Sequence, residues 1–450
     1  MIYLDIVLNV PVNRSFTYSY TPDEKEKAEI GMRVEVPFGN RKLTGFITGI
    51  GDTAPDDVPK EKIRAVRSIV DEEPLLTSEL FSLAKWMADY YLCPLGEIVS
   101  AMIPSGRRET GSGGFSFADD IPSSEVHDLS DEQRQAVSDI LSAKTKNTRF
   151  HYVYGPTGSG KTEVFLRVAE AVLAQNKGVI YLVPEIGLTP QVIRAVRARF
   201  GNTAAVLHSG LTQSRKFSEW KRILRKEARV VIGARSAVFA PVPDLGLIII
   251  DEEHDGSYKS GFAPRYHARQ VAMYLCKKHS CPLVMGSATP SVEAWHLMKT
   301  GAIRTLRLSE RLSGGALPHI RIESLLHTAG ALSTALIDEM RHTKTQGKQT
   351  ILFLNRRGFS HFFKCKNCGH ELLCKNCSVP LTFHKSEGLM KCHYCGWTAK
   401  PPSACPECGS IEAGYTSIGT EYIEEQVRKT FPDCTVQRID TDVLQKNKQA

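Results

Sequence analysis

Eight of the twelve cysteines in this 450-residue chain fall into four Cys-x-x-Cys pairs: Cys365/Cys368, Cys374/Cys377, Cys392/Cys395 and Cys405/Cys408. A thiolate pair with two residues between its members grips one side of a tetrahedral ion, so four pairs within 44 residues predict two zinc sites of four thiolates each. The 14 residues between Cys377 and Cys392 suit a ribbon hairpin, which puts Cys374, Cys377, Cys392 and Cys395 on one ion. Only five residues separate Cys368 from Cys374, too few for a second ribbon, so Cys365 and Cys368 are left to close with Cys405 and Cys408. Four thiolates leave no open coordination position, and both sites are expected to be structural. Cys93, Cys276, Cys281 and Cys434 stand alone and read as plain thiols.

A second chemistry is written at 155–162, GPTGSGKT. Gly155, Gly158 and Gly160 let backbone N–H groups wrap phosphate oxygens, with Pro156, Thr157 and Ser159 completing the loop. Lys161 then reaches the β and γ oxygens, and the Thr162 hydroxyl holds Mg²⁺. Downstream, LIIIDEEHD (247–255) ends an apolar run in acids. Asp251 is placed to hold Mg²⁺ through water, and Glu252 to orient or deprotonate an attacking water. The following loop, DGSYKSGFAPRYHARQ (255–270), alternates Tyr258, Phe262 and Tyr266 with Lys259, Arg265 and Arg269. Rings that stack on bases beside cations that meet phosphates suit single-stranded DNA. The plainer alternative is a loop whose rings pack locally.

The elements that must position these groups follow from periodicity. Ile2, Leu4, Ile6, Leu8 and Val10 alternate, as do Met32, Val34, Val36 and Phe38, so residues 1–70 predict a small antiparallel β domain. Helical spacing takes over at 75–92, and residues 105–114 form a linker. From Leu129 short apolar strands (150–154, 179–183, 247–250, 282–286) alternate with amphipathic helices. One helix runs from Glu163 to about Asn176 with Gly178 just past its end, and another is capped by Thr189-Pro190. This is the pattern of a doubly wound parallel sheet. A second unit is expected from near 330, with a helix at 332–342 and a strand at 350–354.

The bulk numbers agree with several domains in one chain. A net charge of +8 permits a nucleic-acid partner, and no apolar run reaches the roughly eighteen residues of a membrane span. Twelve cysteines behind an N-terminus with no signal-peptide pattern point to a reducing cytosol.

The order of these blocks resembles superfamily 2 helicases. DEEH resembles their DEAH-type box, with Asp251, Glu252 and His254 as its catalytic members; GSATP (286–290) resembles motif III, LVPEIGLTPQ (182–191) motif Ia, and Gln133 stands at their adenine-side glutamine. FGNRKLTG (38–45), ADYYLCPLGE (88–97), IGARSAVFAP (232–241), APRYHARQVA (263–272), NRRGF (355–359) and IGTEYIEE (418–425) further resemble one family, the PriA replication-restart helicases. The resemblance implies an ATP-driven 3′→5′ DNA helicase with two RecA-like lobes, which recognises stalled or abandoned forks and D-loops. Such an enzyme reloads the replicative helicase in the bacterial cytoplasm, beside the nucleoid. The resemblance also implies ATP, Mg²⁺ and two Zn²⁺, with single-stranded-DNA-binding protein and primosome or helicase-loader proteins as partners.

Carried onto this chain, it divides the molecule into a 3′-DNA-binding β domain (1–104), a linker (105–126), helicase lobe 1 (127–318) and an incomplete lobe 2 (319–450) with the zinc insertion at 365–408. The implied DNA contacts are Phe16, Thr17, Tyr18, Arg41, Lys42, Arg235 and the loop residues Tyr258, Lys259, Phe262, Arg265 and Tyr266. Three departures stand out. About 22 residues replace the family's winged-helix domain, Thr17 stands where many members place an aspartate in the pocket for the nascent 3′ end, and the chain stops before motifs V and VI. A DNA-binding assembly platform with little ATP turnover is therefore the rival reading.

Overall fold

The computed structural model describes residues 1–22, 27–56, 59–107, 128–142, 149–184, 190–312, 314, 318–325, 331–354, 362–365, 367–384, 388–392, 395–411, 413–416 and 420–439. Two compact units are present, Met1–Ala316 and Leu317–Ala450.

The first unit begins with strands β1 (Ile2–Leu8), β2 (Phe16–Tyr20), β3 (Arg33–Phe38), β4 (Arg41–Gly51) and β5 (Ser68–Ile69). They form an antiparallel sheet in the order β2-β1-β4-β3-β5. The alternation works as expected: Leu4, Ile6 and Leu8 are buried on one face with Val34, Val36 and Ile47. Val7 and Phe46 leave the opposite face to meet helices α1 (Ser78–Tyr91) and α2 (Leu95–Met102). Thr77 caps α1, its side chain accepting from the Leu80 amide.

Those two helices share one core with the next layer, including Trp220, Ile223 and Phe239. The junction also holds a buried ion pair. Arg33 meets Asp71 at 2.7 Å and donates to the Pro104 carbonyl at 3.1 Å, with its guanidinium 5.1 Å from the Phe217 ring. Of the expected linker, 105–107 is described, with Arg107 donating to Thr44 at 3.0 Å; 108–127 lies outside the described residues.

The second sheet is built from α3 (Asp131–Leu141), β6 (Phe150–Tyr154), α4 (Lys161–Leu173), β7 (Gly178–Leu182), α5 (Pro190–Phe200), β8 (Ala204–Leu207), α6 (Gln213–Leu224), β9 (Val230–Gly233), β10 (Leu245–Asp251), α7 (Ala268–Lys278), β11 (Leu283–Ser287), α8 (Val292–Lys299) and β12 (Arg304–Arg307). Seven strands run parallel in the order β12-β6-β11-β10-β7-β9-β8. Central strands such as β7, β9 and β10 are continuous apolar runs because helices cover both faces. Helix α4 ends at Leu173, earlier than expected, and Asn176, not Gly178, takes the left-handed conformation after it. Gly178 instead opens β7. The Thr189 cap lies outside the described residues.

In the second unit, α9 (Thr334–Thr345) and α10 (Thr420–Thr430) pack through Leu332, Met340, Val427 and Phe431. The strand expected at 350–354 does not form. Ile351 and Phe353 are 91% and 87% exposed, and no described strand pairs with this segment. Apolar alternation makes a strand only where a neighbour accepts its hydrogen bonds. NRRGF (355–359) lies outside the described residues. A third sheet, β16-β15-β14-β13-β17, joins β13 (Phe362–Cys365), β14 (Thr382–His384), β15 (Leu389–Lys391), β16 (Thr398–Ala399) and β17 (Ala413–Thr416).

Candidate nucleotide, DNA and metal sites

The phosphate loop joins β6 to α4, at the C-terminal edge of the parallel sheet where ligands of such sheets gather. Gly160 sits at φ 77°, and a β-carbon there would lie 2.2 Å from the Gln133 amide nitrogen. Glycine is required on both counts. Lys161 opens α4 and donates from Nζ to the carbonyls of Gly155 (3.0 Å) and Pro156 (3.1 Å). Burial pulls its pKa down, while the charges of Glu252 and Asp251 hold it up. Thr162 follows, exposed at the second position of the helix.

Gln133 braces this loop from α3. Its Oε1 accepts from the Ser130 amide at 2.8 Å in a capping box, and its Nε2 donates to the carbonyls of Ser159 and Gly160, both at 3.3 Å. Its amide is thus committed to the loop itself. Beside the loop lies a pocket of about 490 Å³ bounded by Gly155, Pro156 and Thr157, by Ala288 of the GSATP segment, and by Arg307.

The acids arrive on β10. Burial, followed by the neighbouring Glu252 charge, pushes the Asp251 carboxyl up to about 6, although the Tyr181 hydroxyl donates to it at 3.1 Å. A divalent cation would relieve this crowding, so the donor set fits Mg²⁺. Glu252 occupies the left-handed region at φ 44°. Its carboxylate accepts from the Ser287 hydroxyl at 2.8 Å, and His254 Nδ1 lies 2.7 Å from that hydroxyl and 3.4 Å from Glu252. Lys161, Asp251, Glu252 and His254 therefore converge on one sheet edge. Glu253, which sequence reasoning passed over, is buried and fully hydrogen-bonded.

The aromatic loop corrects part of the expectation. Tyr258 and Tyr266 are 1% and 4% exposed, so neither ring is available to stack on a base. Tyr258 fills the space under the strand ends and donates to the carbonyls of Asp251 (2.6 Å) and Leu182 (3.2 Å). Tyr266 packs on Phe239 at 4.8 Å. Arg235 also turns inward, donating to the carbonyls of Ser257 (3.0 Å) and Lys259 (2.6 Å), and Arg269, expected among the phosphate-facing cations, is buried in an ion pair with Glu253. Phe262 alone among the three rings is exposed, at 85%, between the exposed Lys259 and Arg265.

In the N-terminal sheet, Arg41 and Lys42 are exposed, and Phe16 meets Phe38 edge-on at 5.2 Å with Arg14 above it at 4.9 Å. Tyr18 is buried and donates to the Pro37 carbonyl at 3.1 Å, which removes it from the expected contact surface. Thr17 donates to Asp5, directly across the β1–β2 ladder, at 2.8 Å.

The cysteines gather into the two expected quartets, Cys365/Cys368/Cys405/Cys408 and Cys374/Cys377/Cys392/Cys395, each with its sulfurs within 4.8 Å of one another. Sulfur separations of 3.6 Å (Cys365–Cys408, Cys374–Cys395) and 3.7 Å (Cys368–Cys405) fit a zinc tetrahedron, whose edge is about 3.8 Å for Zn–S bonds near 2.3 Å. All four knuckles repeat one backbone turn. The first cysteine's amide donates to a carbonyl five residues on, and the residue four positions on donates back to that cysteine's carbonyl. The returning residue is left-handed in each case: Gly369, Ser378, Gly396 and Gly409. Asn367 and Asn376, at matching places in the two CKNC repeats, donate to Cys408 (3.7 Å) and Cys395 (3.8 Å).

These features have counterparts in known proteins. Family models match at residues 5–104 (3′DNA-binding domain, 3′BD), 130–296 (DEAD/DEAH box helicase) and 374–400 (PriA DNA helicase Cys-rich region, CRR, domain). Replication restart protein PriA of Treponema pallidum is 50% identical over 448 residues, covering 98% of this chain and 67% of the relative. The Bacillus subtilis protein of that name is 30% identical over 591 residues, covering 98% and 73%. Among solved structures, RecG bound to a three-way DNA junction aligns with a TM-score of 0.32 at 19% identity, over 49% of this chain and 28% of that one. Among the described residues, no helix is long and apolar enough to cross a membrane.

Proposed function

The chain belongs to the replication restart protein PriA family, and from that premise we propose that it unwinds DNA in the 3′→5′ direction at stalled or abandoned forks and D-loops and readies them for primosome assembly. It is an ATP-dependent DNA helicase. The observation that carries the proposal is the convergence of Lys161, Asp251, Glu252 and His254 on the edge of a parallel sheet that also anchors the loop bearing Phe262. The helicase match over 130–296 favours this enzyme over the assembly-platform reading.

The residues have separable tasks. Lys161 binds the terminal phosphates and offsets their charge, and Thr162 and Asp251 would hold Mg²⁺, which supplies charge neutralisation on the phosphates when bound. Glu252 orients the attacking water and takes its proton, with Ser287 and His254 holding its carboxylate in place. Phe262, Lys259 and Arg265 form an exposed tip suited to a single strand, a ring for a base between cations for phosphates. Arg41, Lys42 and Phe16 meet DNA on the N-terminal sheet.

Two zinc ions, one per quartet, rigidify the insertion. Basic residues such as Lys375 and Lys391 make it a surface for strand separation or for primosome partners. Single-stranded-DNA-binding protein and a helicase loader complete the assembly, in the bacterial cytoplasm. The domain limits proposed above (1–104, 105–126, 127–318, 319–450) complete this reading. Strand displacement on a forked duplex tests it: ATP-dependent unwinding that needs a 3′ single-stranded arm is expected, and unwinding without ATP, or only from a 5′ arm, would contradict it.

A further inference from the structure

We propose that Glu253, the second glutamate of the DEEH segment, is the positioning residue that holds Glu252 in its working geometry and couples it to the DNA-facing loop. This rests on the reading of the chain as a DNA-stimulated ATPase.

The geometry around Glu253 is unlike that of its neighbours. Its side chain is completely buried and receives four donors from three different elements. The Tyr152 hydroxyl donates from β6 at 3.2 Å, and Arg269 Nη1 donates from the first turn of α7. Ser291, the N-cap of α8, donates through its amide at 3.2 Å and its hydroxyl at 2.8 Å. Arg269 closes the ring by donating to the Ser291 hydroxyl at 2.8 Å. The Glu253 main chain is fixed as well, its amide donating to Gly286 on β11 at 3.1 Å.

Each partner belongs to a segment with a functional neighbour. Ser291 follows the GSATP stretch whose Ser287 holds Glu252. Arg269 follows the loop of residues 256–267, which carries exposed Phe262 at its tip. Between them, Glu252 is kept in a left-handed conformation, and such a backbone persists only where its surroundings over-determine it. The Glu253 anchor supplies that constraint from the next residue along. A movement of the loop tip that displaces α7 must therefore pull on Arg269, then Glu253, then the Glu252 turn.

Stability alone does not call for this arrangement. Buried ion pairs are often replaced by uncharged groups of similar shape at no cost, whereas removal of one partner strands the other charge. That difference separates a scaffold role from a positioning role.

The test uses the full-length protein with Glu253→Gln, Arg269→Gln and the double variant, in ATP hydrolysis assays with and without single-stranded DNA. The double variant is expected to melt within about 2 °C of wild type, because neither charge is left unpaired. It should keep its KM for ATP and its DNA affinity while the DNA-stimulated kcat falls at least about tenfold. Wild-type stimulation in a folded double variant would overturn the proposal, and so would a parallel loss of ATP affinity, which marks a general scaffold. Should the charge variants fail to fold, Tyr152→Phe removes one donor to the carboxylate while keeping the ring; a drop of about tenfold in stimulated kcat, the weight of one hydrogen bond to a charged group, supports the role, and undiminished stimulation overturns it. A wild type that DNA does not stimulate would overturn the underlying ATPase reading and this inference with it.

Discussion

The Tyr258 hydroxyl donates to the main-chain carbonyl of Asp251 at 2.6 Å, so the loop that carries Phe262 is bolted to the strand end that carries the acids. Phe262, four residues along the chain, is left in solvent. The two rings should therefore fail in different ways. Tyr258→Phe keeps the packing but strands two carbonyls, costing about 1–3 kcal/mol of stability. Phe262→Ala should leave stability within about 0.5 kcal/mol and weaken single-strand binding by about 1–3 kcal/mol. Thermal melts and fluorescence-anisotropy titrations separate the two; equal losses of DNA affinity with no change in melting would contradict the assignment.

Ser378 occupies the left-handed corner that glycine fills in the other three zinc knuckles. A β-carbon in that conformation costs about 1–2 kcal/mol. Ser378→Gly should make the Cys374/Cys377/Cys392/Cys395 quartet harder to strip of metal, seen as slower release to a chelator. Faster release would show that the serine contributes something the backbone account omits.

His151, on β6, is buried with Arg304 nearby, and burial first, then that charge, lowers its pKa from 6.5 to about 4. The unfolded chain takes up this proton near 6.5 and the native state only near 4. The stability tied to a neutral His151 is therefore complete above about pH 6.5 and lost as pH falls toward about 4, by about 3 kcal/mol in all. His151→Gln should flatten urea-denaturation stability across that window. An unchanged slope would place the titration elsewhere.

Thr17 holds the position where the family resemblance leads one to expect an aspartate, and directly opposite it, across the first two strands, stands the Asp5 carboxylate. If that carboxylate reads a terminal 3′-hydroxyl, Asp5→Asn should reduce the preference for a hydroxyl over a phosphate end by about tenfold, the weight of one charge-assisted hydrogen bond. Competition binding with the two strand ends measures it, and an unchanged ratio would remove Asp5 from this role.

The parts legible in the sequence were those whose chemistry dictates spacing. Zinc fixes the distance between thiolates, and phosphate wrapping fixes glycines ahead of Lys161, so both patterns survive without knowledge of the fold. Residues whose role depends on distant neighbours were not legible. Tyr258, Tyr266 and Tyr18 look like stacking rings until the strands above them are in place. The apolar residues of 350–354 look like a strand, but no described partner accepts their hydrogen bonds. The DEAH-type pattern singles out Glu252 and leaves Glu253 without a task, and only the buried placement of Glu253 reveals its hydrogen-bonding partners.

DNA-stimulated hydrolysis is measured most directly as the rate of ATP turnover by the full-length protein as single-stranded DNA is added, beside Lys161→Ala. Nζ of Lys161 lies at the mouth of the phosphate loop, and its loss should cut hydrolysis at least about 10²-fold. DNA affinity should stay within about threefold, because the proposed DNA contacts lie on other elements, and should fall steeply with added salt in both proteins. Hydrolysis should rise with DNA to a plateau in the wild type and stay at background in Lys161→Ala. Hydrolysis that ignores DNA, or that survives in Lys161→Ala, would contradict it.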